Sequence, residues 1–511
     1  MKQLAKILLV ILSVVLLLLS GMVIVFYEYI NRLFNFLTFE QIIFNFIHLK
    51  GSNVNNLDDF FFTSITSVFA MSFSLIFLYI FIRSLVIQKR KYKKLISTRS
   101  LLIFSLLIFS LSFSFVFIKT GGIEYLKNKN RDSYLFEKYY IDGQTIDLSF
   151  PKNKRNLIYI IVESLESSNV SKANGGAKKE SSIPYLEKIA LDNINFSNND
   201  KIGGARQVSG TGWTIAGMIS HTAGIPFKVN IEHNSYRGFS HYLAGAYTLG
   251  NVLEDNGYDN YIMLGSNAEF AGRDEYFSQH GNYEIMDYYW AIDKGLIPDD
   301  YLEWWGYEDN KLFEFAKDEL SKISKNKKPF NFVILTADTH FFDGYIDESC
   351  RDDLPFKNEY ENSYYCEDKM INSFISWIKE QKFYSNTTIV ITGDHLTMQS
   401  DLYKGVSSKY ERRVYNAFIN SYNENIDNIK NREFTTMDMY PTILSSLGVD
   451  IPGDRIGLGT NLFSGKKTLL EELGYNELNS QIKMNSNYYN TNILYDSYDE
   501  VKDKYKTKNS K

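Results

Sequence analysis

The sequence predicts an α/β protein. Transmembrane helices occupy the N-terminal region, and a mixed, mostly parallel central sheet flanked by helices makes up the rest. Three observations carry this. The first 120 residues contain three uncharged apolar runs of membrane-spanning length. Beyond them, short apolar runs at Leu157–Val162, Phe332–Leu335 and Thr388–Ile391 are continuous rather than alternating, as in strands buried on both faces. Helix-like stretches, such as Lys311–Ile323 and Asp368–Lys382, fall between those runs.

The membrane part spans residues 1–120, with helices at about 7–27, 60–82 and 101–118. Lys2 and Lys6 precede the first run. A cleaved signal peptide would have a shorter apolar stretch and end in a small-residue cleavage site, and none is seen. Between the second and third runs, Gln88–Arg99 holds Lys89, Arg90, Lys91, Lys93, Lys94 and Arg99. The positive-inside rule puts this loop and the N-terminus in the cytoplasm. Three spans then make a multi-pass protein of the inner (cytoplasmic) membrane. Everything after Lys119 lies on the periplasmic or extracellular side. In the first outer loop, residues 37–47 are mostly apolar and carry Phe39, Phe44 and Phe46. They suit the membrane interface or packing against the spans.

Residues 121–156 form a polar linker with Lys and Arg clusters, 157–475 a catalytic domain, and 476–511 a polar tail rich in Asn, Tyr, Lys and Asp. The net charge of −5 argues against nucleic acid as a partner. The 37 Tyr and 37 Phe suit sugar or lipid sites as well as ordinary cores. Open α/β sheets place their sites beyond the carboxyl ends of strands. Here one apolar run ends at Glu163, one before Asp338 and His340, and one before Asp394 and His395.

The remaining feature is Gly210–Pro226, where two glycines and a Trp lead into Thr214 and a short helix-compatible run. Alone, this is the pattern of a threonine cap after a glycine turn. At a helix N-terminus, however, free N–H groups and the dipole also favour an alkoxide or a phosphate ester. Oxygens of Glu163, Asp394 and Thr214 with a nitrogen of His395 compose a ligand set for one divalent metal ion. Manganese is foremost, and magnesium and zinc are compatible. Such an ion lowers the pKa of the Thr214 hydroxyl and polarises a phosphoryl oxygen.

From Asn156 to Leu473 the chain resembles the alkaline phosphatase and sulfatase superfamily. Within it, it is similar to membrane-anchored phosphoglycerol transferases that modify periplasmic glucans, and more distantly to lipoteichoic acid synthases. The resemblance rests on an ordered set: Val162-Glu-Ser-Leu-Glu166, Gly210-Thr-Gly-Trp-Thr-Ile-Ala-Gly217, Thr336-Ala-Asp-Thr-His340 with Gly344-Tyr345, Gly393-Asp-His395, Met437-Asp-Met-Tyr-Pro-Thr-Ile-Leu444 and Gly457-Leu-Gly-Thr-Asn-Leu462. It implies that Thr214 is the nucleophile and that Glu163, Asp394 and His395 bind metal. His340 would bind the transferring phosphate or assist the leaving group, and Arg273 would clamp phosphate. A surface salt bridge is the other reading of Arg273. The implied reaction moves phosphoglycerol from phosphatidylglycerol to a glycan or other acceptor through a covalent threonine intermediate, beside the lipid bilayer. A phosphoethanolamine transferase, a phosphodiesterase or sulfatase-like hydrolase, and a non-catalytic membrane-tethered glycan-binding protein are the alternatives. No Cys/Ser-X-Pro-X-Arg motif occurs, which disfavours a formylglycine sulfatase. Where relatives often carry cysteines this chain has Ala223 and Thr248, which puts an equivalent acceptor in doubt. His221 and His280 are unmatched or weakly matched and are read as satisfied or exposed. The two cysteines, Cys350 and Cys366, flank a polar loop on the oxidising side and are expected to form a disulfide.

Overall fold

The computed structural model describes residues 2–34, 39, 42, 58–90, 97–228, 242–424 and 427–494. Most of the apolar stretch 37–47, the centre of the basic loop and the last residues of the tail lie outside the described residues. The chain divides into two units, with the change at Lys127–Asn128.

The first unit contains three long helices, Lys2–Phe34, Asp58–Arg90 and Thr98–Lys119. Each is long and apolar enough to cross a membrane, with mean hydropathies of 3.2, 2.2 and 2.6. Their outer faces are unpaired apolar surface: Phe77 is 71% and Leu111 65% exposed, which lipid tolerates and water does not. The first two helices run several residues past the apolar stretches, because helical hydrogen bonding continues into the polar flanks. Polar side chains within the helices satisfy themselves locally. Ser13 and Ser20 donate to the carbonyls of Leu9 and Leu16, each at 2.7 Å. Gly21 lets two helices approach: a Cβ there would sit 3.0 Å from Ser72 Oγ.

The second unit is built on a seven-stranded sheet. Its strands are β1 (Asn156–Val162), β2 (Gly204–Ala205), β3 (Asp259–Leu264), β4 (Glu284–Met286), β5 (Phe330–Leu335), β6 (Thr387–Gly393) and β7 (Val414–Ile419). The order is β2-β7-β6-β1-β5-β3-β4. The five strands from β6 to β4 are parallel, while β7 is antiparallel to β6 and β2 antiparallel to β7. Strand β1 is central, and its run is apolar because both faces are covered. Leu157, Tyr159 and Ile161 enter one core cluster, while Ile158, Ile160 and Val162 enter the other. Each such aliphatic side chain contributes about 1.5–3 kcal/mol on burial. The first cluster includes the helices Thr214–Ala223 and Met439–Ser446, and the second the helices Asp309–Ile323 and Glu359–Glu380.

The register aligns the carboxyl ends of the central strands. Val162 lies opposite Gly393, and Ile161 opposite Leu335. Glu163, the Thr336–His340 loop, Asp394 and His395 therefore emerge at one sheet edge.

Two boundaries differ from expectation. From Asn128 the linker belongs to the second unit, and residues 476–494 of the tail are packed against it. Ser133 N–H donates to the Asn485 carbonyl (2.7 Å), and Phe136 meets Tyr489 edge-on at 5.2 Å. Leu135, Phe136, Leu478, Ile482, Tyr489 and Ile493 are all buried. Both segments read as polar because their few apolar residues are spaced so that neither forms a core alone; each supplies half of one. Cys350 and Cys366 are bonded, with a Cα–Cα distance of 5.7 Å. The bond ties the loop beyond His340 to the helix Glu359–Glu380.

Candidate active site

Glycines set the position of Thr214. Gly210 has φ +76°, which a side chain would strain, and its carbonyl accepts from Phe227 N–H at 2.8 Å. Trp213, in extended conformation, is the N-cap, so Thr214 is the first helical residue rather than the cap itself. A Cβ on Gly217 would lie 2.4 Å from the Asp394 carbonyl oxygen, so only glycine lets this helix lie against the end of β6. Thr214 sits three residues earlier on the same face. Its hydroxyl donates to Glu163 Oε2 at 3.0 Å.

Glu163, Asp394 and His395 are buried, with one ligand atom from each lying within 4.8 Å of the others. Ser164, at φ 55°, turns the chain after β1 so that its hydroxyl donates to Glu163 Oε1 and its N–H to Asp394 Oδ1, both at 2.7 Å. His395 N–H also donates to Asp394 Oδ1 at 2.7 Å. Asp394 Oδ2 receives no hydrogen bond. The His395 ring interacts with the Leu396 carbonyl through Nδ1 (2.9 Å). That arrangement makes Nδ1 the protonated nitrogen and turns Nε2 toward Glu163 Oε1 (3.4 Å) and Asp394 Oδ2 (3.3 Å).

The electrostatics favour positive charge at this cluster. Burial raises the pKa of Asp394, the charge of Glu163 adds to this, and together they push it up to about 8. Burial opposes charge on His395, but Asp394 and Glu163 outweigh it and push the imidazole up to about 10. Burial likewise opposes charge on Glu163, yet His395 holds it well below the usual carboxylate range. Two carboxylates and an imidazole around an orphaned oxygen fit a divalent ion in place of the protons.

His340 and Arg273 border this cluster. The His340 ring meets the Phe341 carbonyl through Nδ1 at 2.6 Å, lies on Phe341, and has its centroid 4.6 Å from that of Trp305. Burial lowers its pKa, with Glu163 opposing. Thr339, beside it, donates its hydroxyl to the Glu163 carbonyl at 2.6 Å. Arg273 is not a surface residue. Its guanidinium is buried, donating to the carbonyls of Phe270 (3.1 Å) and Asn267 (2.7 Å), and it forms no ion pair among the described residues. Burial lowers it to about 10, against the pull of Glu163, so it stays charged at neutral pH.

His221 is buried beneath the sheet edge, bonded through Nδ1 to the Tyr159 hydroxyl, and burial pulls it down to about 3. His280 Nε2 faces the Tyr242 carbonyl at 2.5 Å. Thr248 caps a helix through Asn251. Two contributors had no sequence signal. Trp305 is one aromatic among many. Arg412 pairs with buried Glu166, which also accepts from Thr397 N–H (2.8 Å), and so fixes the loop after His395. Glu166 and Arg412 are 246 positions apart.

A buried carboxylate–imidazole cluster at the carboxyl edge of a mostly parallel sheet, with a helix-terminal hydroxyl against it, makes this a sulfatase-like α/β domain. The chain belongs to the sulfatase family, which residues 155–449 match. It is 30% identical over 352 residues to phosphoglycerol transferase I of Escherichia fergusonii, covering 67% of this chain and 43% of that protein. The chain therefore spans less than half the length of this relative. Among solved structures, it is similar to the lipooligosaccharide phosphoethanolamine transferase A of Neisseria meningitidis (TM-score 0.51, 14% identity, 86% of this chain and 84% of that one), a likeness of fold. The lipoteichoic acid synthase LtaP of Listeria monocytogenes aligns over 63% of this chain and 79% of its own, with 19% identity and a TM-score of 0.47.

Proposed function

We propose that this protein transfers phosphoglycerol from phosphatidylglycerol to a glycan or other extracytoplasmic acceptor, with Thr214 as the nucleophile. The observation that carries the reading is the Thr214 hydroxyl, 3.0 Å from Glu163 Oε2 and at the first turn of a helix. The relative named phosphoglycerol transferase I supports phosphoglycerol as the group transferred.

Glu163, Asp394 and His395, with Thr214, would hold one divalent ion, manganese foremost. When bound, it lowers the pKa of the hydroxyl and offsets charge on the phosphoryl oxygens. The Thr214 hydroxyl loses its proton to solvent and its oxygen attacks phosphorus, the bond to the glyceride oxygen breaks, and diacylglycerol leaves; the acceptor hydroxyl then attacks the same phosphorus and the bond to the Thr214 oxygen breaks. Arg273 compensates negative charge on the phosphoryl group, and the helix N–H groups add to this. His340, with Nδ1 engaged, presents Nε2 as a proton carrier. Protonated, it donates to the leaving oxygen; neutral, it accepts the proton of the incoming hydroxyl. Trp305 and Phe341 beside it limit water.

Presenting the purified protein with phosphatidylglycerol or phosphatidylethanolamine, each labelled in the headgroup, tests this. Release of labelled headgroup from phosphatidylglycerol alone is expected, with label then found in the glycan fraction. Turnover only with phosphatidylethanolamine would make this a phosphoethanolamine transferase, and free glycerol phosphate as sole product would make it a phosphodiesterase.

The second unit is assigned to the outer side of the membrane, for which the basic loop and the Cys350–Cys366 bond are the support. Protease added to intact spheroplasts should cleave beyond Lys119 and spare the loop around Lys89–Arg99. Protection of the large unit would reverse the orientation.

A further inference from the structure

Three carboxylates outside the active site converge from three elements. Asp309 opens the helix Asp309–Ile323, Asp338 lies in the loop after β5, and Glu367 sits on the helix Glu359–Glu380 beside Cys366. One oxygen of each lies within 4.8 Å of the others, and all three residues are at most 1% exposed. Backbone N–H groups converge on Asp309: Ala337 donates to both its oxygens (3.0 and 2.8 Å) and Asp338 to one (2.6 Å). Asp338 Oδ2 accepts from Asp309 N–H at 3.1 Å. Asp338 Oδ1 is buried and receives no hydrogen bond, and no N–H or hydroxyl donor reaches Glu367, which faces the Asp309 carboxylate and bonds to it only when one of the two holds a proton.

No basic side chain answers this charge. None of the three carboxylates forms an ion pair among the described residues, and the charges that bear on them include Glu308, Asp347 and Asp368, all acidic. The lysine on the same helix, Lys311, is committed to Glu308 at 2.5 Å. Unpaired buried carboxylates are among the costliest arrangements in a protein interior. Burial, foremost, drives their pKa values up; repulsion from Asp309 adds to this for Asp338 and Glu367, and Asp309 itself rises to about 7 despite its amide bonds and its contact with Glu367. An all-oxygen carboxylate set with the buried Asp338 Oδ1 unused has the donor chemistry that a hard cation takes.

We propose that Asp309, Asp338 and Glu367 form a second, structural site for a hard divalent cation of the magnesium or calcium class. Its position gives it a role. The Asp338 loop continues into Thr339, whose hydroxyl supports the Glu163 carbonyl and whose own carbonyl accepts from Tyr360 OH at 2.8 Å, and then into His340. A cation here clamps that loop to two helices and positions His340 without touching substrate.

The test uses the full chain in detergent, stripped of metal and dialysed against calcium or magnesium in separate arms, with bound cation counted by plasma mass spectrometry. The wild type should hold about one more cation per chain than Glu367→Gln or Asp338→Asn in at least one arm. Asp394→Asn, which alters the other cluster, should keep that cation and melt at higher temperature when it is supplied. Equal cation counts in wild type and in a folded Glu367→Gln or Asp338→Asn would overturn the site. So would an Asp394→Asn protein that binds neither cation and melts unchanged; the cluster would then be neutralised by protons. Failure of phosphatidylglycerol transfer would leave these counts unaffected, so the two readings fail separately.

Discussion

Thr214→Ala should abolish headgroup transfer, lowering the rate by about 10³-fold or more, because it removes the atom that attacks phosphorus. The loss should be chemical rather than structural. Thr214 is half-buried, its hydroxyl makes one bond, to Glu163, and the helix it opens is anchored by Gly217 against Asp394. Metal should stay bound through Glu163, Asp394 and His395. The control is Thr211. It is fully buried, and its hydroxyl accepts from Val208 N–H (3.2 Å) and donates to Val208 C=O (2.9 Å), closing the turn that leads into the helix. Thr211→Ala should cost about 1 kcal/mol of stability and leave most of the activity. Incubation with phosphatidylglycerol and no acceptor, followed by peptide mass spectrometry, should find a glycerophosphoryl group on Thr214. An adduct on Thr211, or wild-type rates in Thr214→Ala, would show the nucleophile to be misassigned.

Metal removal should have the other large effect, and it should depend on pH. Without metal the cluster holds protons, on His395 up to about pH 10 and on Asp394 up to about pH 8. A divalent ion must displace them. Apparent affinity should therefore rise with pH, most steeply below about 8 where two protons leave, less so between about 8 and 10, and should fall away in acid. Calorimetry in buffers of different ionisation heat reads the proton release directly. Asp394→Asn keeps the shape of the side chain but removes one charge and the orphaned carboxylate oxygen. It should weaken binding by about 100-fold or more, with a matching loss of turnover at low metal. Full turnover in chelator-stripped protein, or metal affinity independent of pH between 6 and 9 (a window of about 3 units around the groups concerned), would rule out metal at this cluster.

The architecture was legible where a signal is local. An apolar run with no alternation means a strand covered on both faces, and β1, β5 and β6 are such strands. A run about 20 residues long without charge means a membrane-length helix. A carboxylate or imidazole following a buried strand lies at the sheet edge. This is why Glu163, Asp394 and His395 could be put together before any coordinates. The helix boundaries were less legible. The helix through Asp368 begins at Glu359, where Asn358 caps it by accepting from Glu361 N–H, a bond that composition does not announce.

What the sequence by itself determined is the kind of surface each segment presents: spans, buried strands, and the acids and imidazoles that end them. Tertiary structure alone decided which distant segments complete one another. Residues 128–156 and 476–494 each carry too few apolar side chains to bury themselves, and they became core by meeting. Arg273 became a buried cation because two backbone carbonyls hold it, and Glu166 could be buried because Arg412 comes from 246 residues away. Asp309, Asp338 and Glu367 look like solvated acids along the chain. They share one buried site because strand register and helix packing bring their backbones together, and repulsion between like charges gives no local pattern from which that meeting could be read.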